Sequence, residues 1–243
     1  MTTVCEHGVE SHDGTEPSAA SAPEASRAWL LIEHSGPWPH EPIDTALSAP
    51  LGVLVSSAVQ LGIRVQMIRR AGGGRIGPTR AIYAGWTSGG EPWLRRAEWD
   101  GADPEDALAG LDLDKLAAGS APGFGSPVSE PVFLVCTHAQ RNACCARFGG
   151  PLATQLAARY PGQVFQTTHV GGHRFAANLV IMPHGLYYGP VGVDLAVSAI
   201  GAYQRGTVAA GRYRGRAGQP KAAQEAEHEL LARAGSLEVA ALA

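Results

Sequence analysis

The sequence has no long apolar run. Nothing in it approaches the roughly 18 consecutive apolar residues that a membrane-spanning helix needs. The first 26 residues are polar, acidic and small, unlike an apolar leader. No membrane span is expected, and the cytoplasm is the expected compartment. An excess of one charge is also missing: 19 Lys and Arg against 22 Asp and Glu leave a formal net charge of -3. That balance predicts no general affinity for nucleic acid or for an anionic membrane surface. Cysteine is scarce, with four in the chain. Cys5 stands alone, while Cys136, Cys144 and Cys145 fall within ten residues, which is not a secreted disulfide framework. There is no CxxC: eight residues separate Cys136 from Cys145 and seven separate it from Cys144. A zinc knuckle and a dithiol oxidoreductase motif are therefore both absent. Glycoside hydrolysis needs two carboxylates flanking a sugar site, and the scattered Asp and Glu offer no such pair.

Apolar residues make up 45% of the chain, enough for a sizeable core. Residues 1–26 lack periodicity and large apolar side chains, so they are expected to form a disordered tail, with Cys5, His7 and His12 given no role. Residues 27–119 read as a strand "RAWLLIEHS", a helix over 42–62, and a strand "IRVQMIRRA". A turn "GGGRIGP" leads to the strands "TRAIYAGW" and "PWLRRAEW", then to a helix over 103–119 with Asp103 as N-cap and Pro104 at its first position. The basic, glycine-rich stretch 69–80 invites a phosphate-loop reading, but no helix follows it, and a hairpin connection explains it. Residues 120–130 form a breaker-rich linker. Residues 131–243 repeat the order with the strand "VFLVC", helix "PLATQLAARYP", strand "QVFQTTHV", hairpin "NLVIMPHGLYYGPV" and helix "DLAVSAIGAYQRG", followed by a helical tail from about 220 to 234. A βαβ unit followed by a hairpin and a helix is a thioredoxin-like order. The expected fold is α/β (α+β): two tandem thioredoxin-like halves, each a mixed central sheet flanked by helices. Arg212, Arg214 and Arg216 read either as a basic patch for a small anion or acidic partner, or as a solvated segment.

The densest chemistry is "VCTHAQRNACCARFGG", residues 135–150, where a hydrophobic strand opens into a loop, the usual place for functional groups in α/β folds. A second group, "THVGGH", carries His169 and His173. At i and i+4 they would share a helix face, but Gly171 and Gly172 each disfavour helix by about 1 kcal/mol and favour a loop. Two thiolates and two imidazoles make a Cys2His2 set, suited to zinc or to a 2Fe-2S cluster. Spacing alone leaves both open. A thiol-redox reading through Cys144 and Cys145 is a further alternative.

"CTHAQRNACCARFGGPL" with "THVGGHRFAANLVIMPHGLYYGPV", and the opening "WLLIEHSGPW", resemble the sucrase/ferredoxin-like family, whose members carry a thioredoxin-like ferredoxin domain. The resemblance covers about residues 28–220. It implies bis-histidinyl ligation of a 2Fe-2S cluster, with Cys136 and Cys145 on one iron and His169 and His173 on the other. Cys144 is the alternative cysteine ligand. The family pattern often has an acidic residue where this chain has Asn142, which leaves a hydrogen bond or proton acceptor near the cluster in question. His138, Arg141 and Arg174 are candidates for the surroundings of the ligands, with a plain loop histidine the alternative for His138 and a surface salt bridge that for Arg174; His184 is a turn histidine. The function so implied is electron transfer, with a redox donor and acceptor whose identity is not encoded.

Overall fold

The computed structural model describes residues 17–72, 79–100 and 104–242. Its strands are β1 Ala28–Glu33, β2 Arg64–Arg70, β3 Arg80–Trp86, β4 Trp93–Trp99, β5 Ser126–Pro127, β6 Val132–Cys136, β7 Val164–Thr167, β8 Leu179–Met182, β9 Leu186–Tyr188, β10 Thr207–Val208, β11 Tyr213–Arg216 and β12 Leu237–Glu238. The α-helices are α1 Ala49–Gln60, α2 Glu105–Leu108, α3 Leu113–Ala117, α4 Ala143–Arg159, α5 Val193–Gln204 and α6 Lys221–Ala234. The fold is mixed α/β. Ten strands form one sheet in the order β11-β9-β8-β6-β7-β2-β1-β3-β4-β5, and β10 pairs with β12 separately.

β1 and β2 are parallel, β3 is antiparallel to β1, and β4 is antiparallel to β3. The strands β6 to β9 follow the same pattern. The two sets meet where β2 and β7 run antiparallel, with Ile68 opposite Thr167 and Arg70 opposite Phe165. Joining them edge to edge pairs backbone groups that two separate sheets would leave open. Side chains alternate about this sheet. On β6, Val132, Leu134 and Cys136 enter one core, together with Trp29, Leu31 and Tyr83 from the first strand set. Phe133 and Val135 enter another, under α4 and α5. Burial on both faces explains why "AWLLI" and "VFLVC" are continuously apolar rather than alternating; Glu33, which ends β1, is buried against Arg70 at 3.0 Å.

Several elements differ from the expectations. The helix over 42–62 is a 3-10 turn at Pro42–Asp44 and then α1, with Pro50 in the first turn where a missing N–H costs nothing. The helix over 103–119 is split into α2 and α3, with Gly110 at φ 75° between them; Asp103, its expected cap, lies outside the described residues. Residues 73–78 of the glycine-rich stretch at 69–80 also lie outside them. The linker holds β5 and the fully buried Phe124. Of the expected tail, residues 1–16 lie outside the described residues, and 17–26 run across the second strand set. Ser21 N–H donates to the Arg214 carbonyl at 2.8 Å, and Ala22 exchanges hydrogen bonds with the Gln224 side chain at 3.0 and 3.1 Å. This strap is held by main-chain hydrogen bonds, which composition does not disclose.

Both readings of Arg212, Arg214 and Arg216, as a basic patch and as a solvated segment, are corrected for Arg214 and Arg216. Arg214 and Arg216 are 1% and 7% exposed on β11. Arg216 pairs with the buried Glu227 at 2.7 Å, and Arg214 is enclosed by hydrogen bonds described below. Neither is presented to an external anion.

Candidate metal centre

β6 and β7 are parallel neighbours with Cys136 opposite Thr167, so their C-terminal ends lie on the same edge of the sheet. Cys136 closes β6, and His169 follows the end of β7 by two residues. This topology brings together groups distant in sequence, as strand ends in α/β sheets commonly do.

The loop that opens after Cys136 ends at Asn142. Asn142 caps α4, its side-chain oxygen accepting from Cys144 N–H at 2.9 Å, and the helix begins at Ala143 rather than at Pro151. The residue that departs from the acidic family pattern thus has a definite structural role as an N-cap. Cys144 and Cys145 ride on the first helical turn, where unpaired backbone N–H groups favour negative charge. Cys145 is fully buried and faces Cys136; these two are free thiols.

The Sγ atoms of Cys136 and Cys145 lie 3.9 and 3.7 Å from His169 Nδ1. All three donor atoms are within 4.8 Å of one another, forming a group that can hold a metal ion. Cys144 is not part of that group. His173 stands beside it, its ring centroid 5.7 Å from that of His169. A hydrogen bond from Cys145 holds the Cys136 sulfur well below the usual thiol range, against the effect of burial and with help from His169. The same contact pushes Cys145 up. Two buried sulfurs sharing a proton form a site from which a cation displaces that proton, so metal binding would be coupled to proton release. The donor set fits either zinc or an iron-sulfur cluster.

The histidine loop is fixed through its main chain. His138, 1% exposed, donates from Nε2 to the Pro39 carbonyl at 2.7 Å and accepts at Nδ1 from His169 N–H at 3.2 Å. Burial lowers its pKa, and these two partners select the neutral tautomer with the proton on Nε2. His138 therefore positions His169. Each carbonyl from 169 to 172 accepts from a side chain outside the loop: Arg64 at 3.2 Å, the Tyr187 hydroxyl at 3.1 Å, Arg214 at 3.3 Å and the Asn178 amide at 3.0 Å. Gly172 has φ 67°, and a Cβ there would collide with the Arg214 guanidinium.

Arg174 is exposed, with its guanidinium carbon 4.7 Å from the Phe175 ring centroid. Arg141 is exposed and pairs with Glu41 beside His40, holding the 40–41 segment to the loop before α4. His184 accepts from the Tyr203 hydroxyl at 2.6 Å, away from the group. Arg64, Asn178, Tyr187 and Arg214 were not singled out for this site by the sequence, because nothing local to any of them points to the loop that they hold.

No described helix is long and apolar enough to cross a membrane. No curated protein and no solved structure matches the chain. Residues 20–215 match the sucrase/ferredoxin-like family, and with most of its length so matched the chain belongs to that family.

Proposed function

We propose that this protein is an electron carrier in which Cys136, Cys145, His169 and His173 hold a 2Fe-2S cluster. The convergence of Cys136, Cys145 and His169 within 4.8 Å carries the reading, and membership of a ferredoxin-like family gives it a redox sense. When bound, such a cluster takes up one electron from a donor and passes it to an acceptor; imidazoles in place of two thiolates raise its potential, as in Rieske centres at roughly -150 to +300 mV.

The chain's own residues supply the rest. Cys136 and Cys145 anchor the buried side. His169 and His173 are only partly buried and form the side nearest solvent, where redox partners would approach. The ring nitrogen of each histidine that is not a ligand is a site for proton uptake, coupling electron transfer to pH. The proposed partners are a one-electron donor and acceptor, with neither nucleic acid nor membrane involved. A reducing compartment such as the cytoplasm, which keeps Cys136 and Cys145 as thiols, suits this reading.

One observation favours a second reading. The S···N separations of 3.7 and 3.9 Å are close to those of neighbouring ligands around a single ion with bonds of about 2.0 to 2.3 Å, as in a structural zinc site. Anaerobic purification with iron, sulfide and zinc analysis and a visible spectrum separates the two. The expected result is a brown protein with iron and sulfide, in which Cys136→Ser and Cys145→Ser lose the colour while Cys144→Ser keeps it. Zinc without iron would end the electron-transfer reading.

A further inference from the structure

Arg214 is a buried cation without a counter-ion among the described residues. It is 1% exposed, and its guanidinium donates only to neutral acceptors: Ser21 Oγ at 3.0 Å, the Ser21 carbonyl at 2.7 Å, Asn178 Oδ1 at 2.6 Å and the Gly171 carbonyl at 3.3 Å. Its central carbon lies 4.9 Å from the Phe175 ring centroid and 5.5 Å from that of Tyr187. Arg216, two residues on, shows the ordinary arrangement, since Glu227 balances it at 2.7 Å. A guanidinium taken out of water without a carboxylate is costly. The strain is visible in a pKa lowered to about 10, first by burial; Arg174 adds to the lowering, while Tyr187 and the Cys136 sulfur oppose it. Through the Gly171 carbonyl, Arg214 touches the loop between the two histidines.

We propose that Arg214 raises the reduction potential of the centre by holding a fixed positive charge behind the His169–His173 loop. The proposal rests on the 2Fe-2S reading. With two thiolate and two neutral imidazole ligands, the oxidised centre is formally neutral, and one added electron leaves it singly negative. A buried cation nearby then stabilises the reduced state over the oxidised one. Arg214 also anchors the loop mechanically, so charge and hydrogen bonding must be separated. Arg214→Gln removes the charge; Arg214→Lys keeps it with fewer hydrogen bonds. Asn178→Asp leaves Arg214 in place and sets a carboxylate against its guanidinium, but removes the amide that donates to the Gly172 carbonyl, so Asn178→Leu, which removes that donor without adding charge, is measured beside it.

The experiment is a mediated titration of the full-length, iron-loaded protein with dithionite as one-electron reductant. Midpoint potential is read from the visible spectrum, with iron and sulfide counted per chain for each variant. The expected result is a lower potential in Arg214→Gln and in Asn178→Asp, compared at equal iron and sulfide per loaded chain, with Arg214→Lys close to wild type. Should Arg214→Gln fail to fold, Asn178→Asp carries the comparison. A wild-type potential in a fully loaded Asn178→Asp, or a potential in Arg214→Lys as low as in Arg214→Gln, would overturn the electrostatic role and leave the cluster reading standing. Wild-type protein with zinc and no iron would overturn both, and the metal analysis tells these failures apart.

Discussion

Gly149 and Gly150 are adjacent residues of α4 and should respond to alanine in opposite directions. A Cβ at Gly149 would fall well inside contact distance of the Cys136 carbonyl oxygen and 3.0 Å from its carbon; at Gly150 it would meet nothing within 4 Å. The obstruction is backbone on β6, which cannot swing aside as a side-chain tip can. Ordinary contact begins at 3.4 Å, so helix and strand would have to part by roughly 1 Å or more. A clash of this depth with backbone belongs at the upper end of the overpacking range, about 2–3 kcal/mol, and the better helix propensity of alanine returns about 1 kcal/mol. Gly149→Ala should thus be destabilised by about 1–2 kcal/mol, while Gly150→Ala gains about 0.5–1 kcal/mol. The two elements carry Cys145 and Cys136, so the same displacement opens the thiol pair and should weaken metal binding in Gly149→Ala alone. Urea unfolding of both variants, with a chelator titration of each, provides the measurement. Equal stability and equal metal affinity in the two variants would refute the claim that close helix-to-strand contact sets the sulfur spacing.

His138→Ala removes the acceptor for His169 N–H and should weaken metal affinity about 10- to 100-fold, read by chelator competition, while leaving all four proposed ligands in place; unchanged affinity would show that the loop holds its shape without it. His184 has a pKa lowered to about 4, by burial first and by the charge of Arg216 second. The unfolded chain takes up this proton at about 6.5, so the stability contribution is intact above that pH and is lost as pH falls from about 6.5 toward 4. After discounting for partial exposure, the loss is on the order of 2–3 kcal/mol, and urea midpoints across that range should fall less steeply in His184→Gln; parallel slopes would contradict this. Glu227 accepts from Arg216 and from the Tyr213 hydroxyl, both at 2.7 Å, with the Arg216 and Glu227 side chains each 8% exposed. Glu227→Ala should cost about 3–5 kcal/mol in thermal or urea unfolding by leaving the guanidinium unpaired, whereas replacing both partners by methionine should be much milder.

What the sequence disclosed depended on whether the signal was local. "AWLLI" and "VFLVC" are apolar throughout because both faces of those strands are covered, and both read as strands. The start of α4 was misplaced because Pro151 looks like a first-turn residue, while the working cap, Asn142, stands in a stretch dominated by cysteine and glycine. Residue type and spacing point to the cysteine cluster and to the pair His169 and His173, and the family resemblance puts Cys145 ahead of Cys144; the convergence of Cys136, Cys145 and His169 follows from the parallel pairing of β6 with β7, a long-range property. The three alternating arginines were ambiguous for a different reason. Basic residues are rarely buried, so Arg214 and Arg216 gave no local indication that Ser21, Asn178 and Glu227 enclose them.

The supports of the histidine loop explain why both strand sets matter to a site whose metal-ligand candidates all come from the second. His138 finds its acceptor in Pro39, and the His169 carbonyl is held by Arg64 on β2, which also bonds Ser26. Gly171 is held by Arg214, which is itself fixed by Ser21 of the strap at 17–26. Pro39, Arg64, Ser21 and Ser26 all precede β6 by more than sixty residues. The antiparallel join of β2 to β7 places Arg64 within reach of the loop, and the path of the strap does the same for Ser21. The first strand set thus helps to fix where His169 presents its nitrogen to Cys136 and Cys145. A metal centre depends on such outer contacts as well as on its ligands, because ligand orientation is set by what holds the ligands in turn.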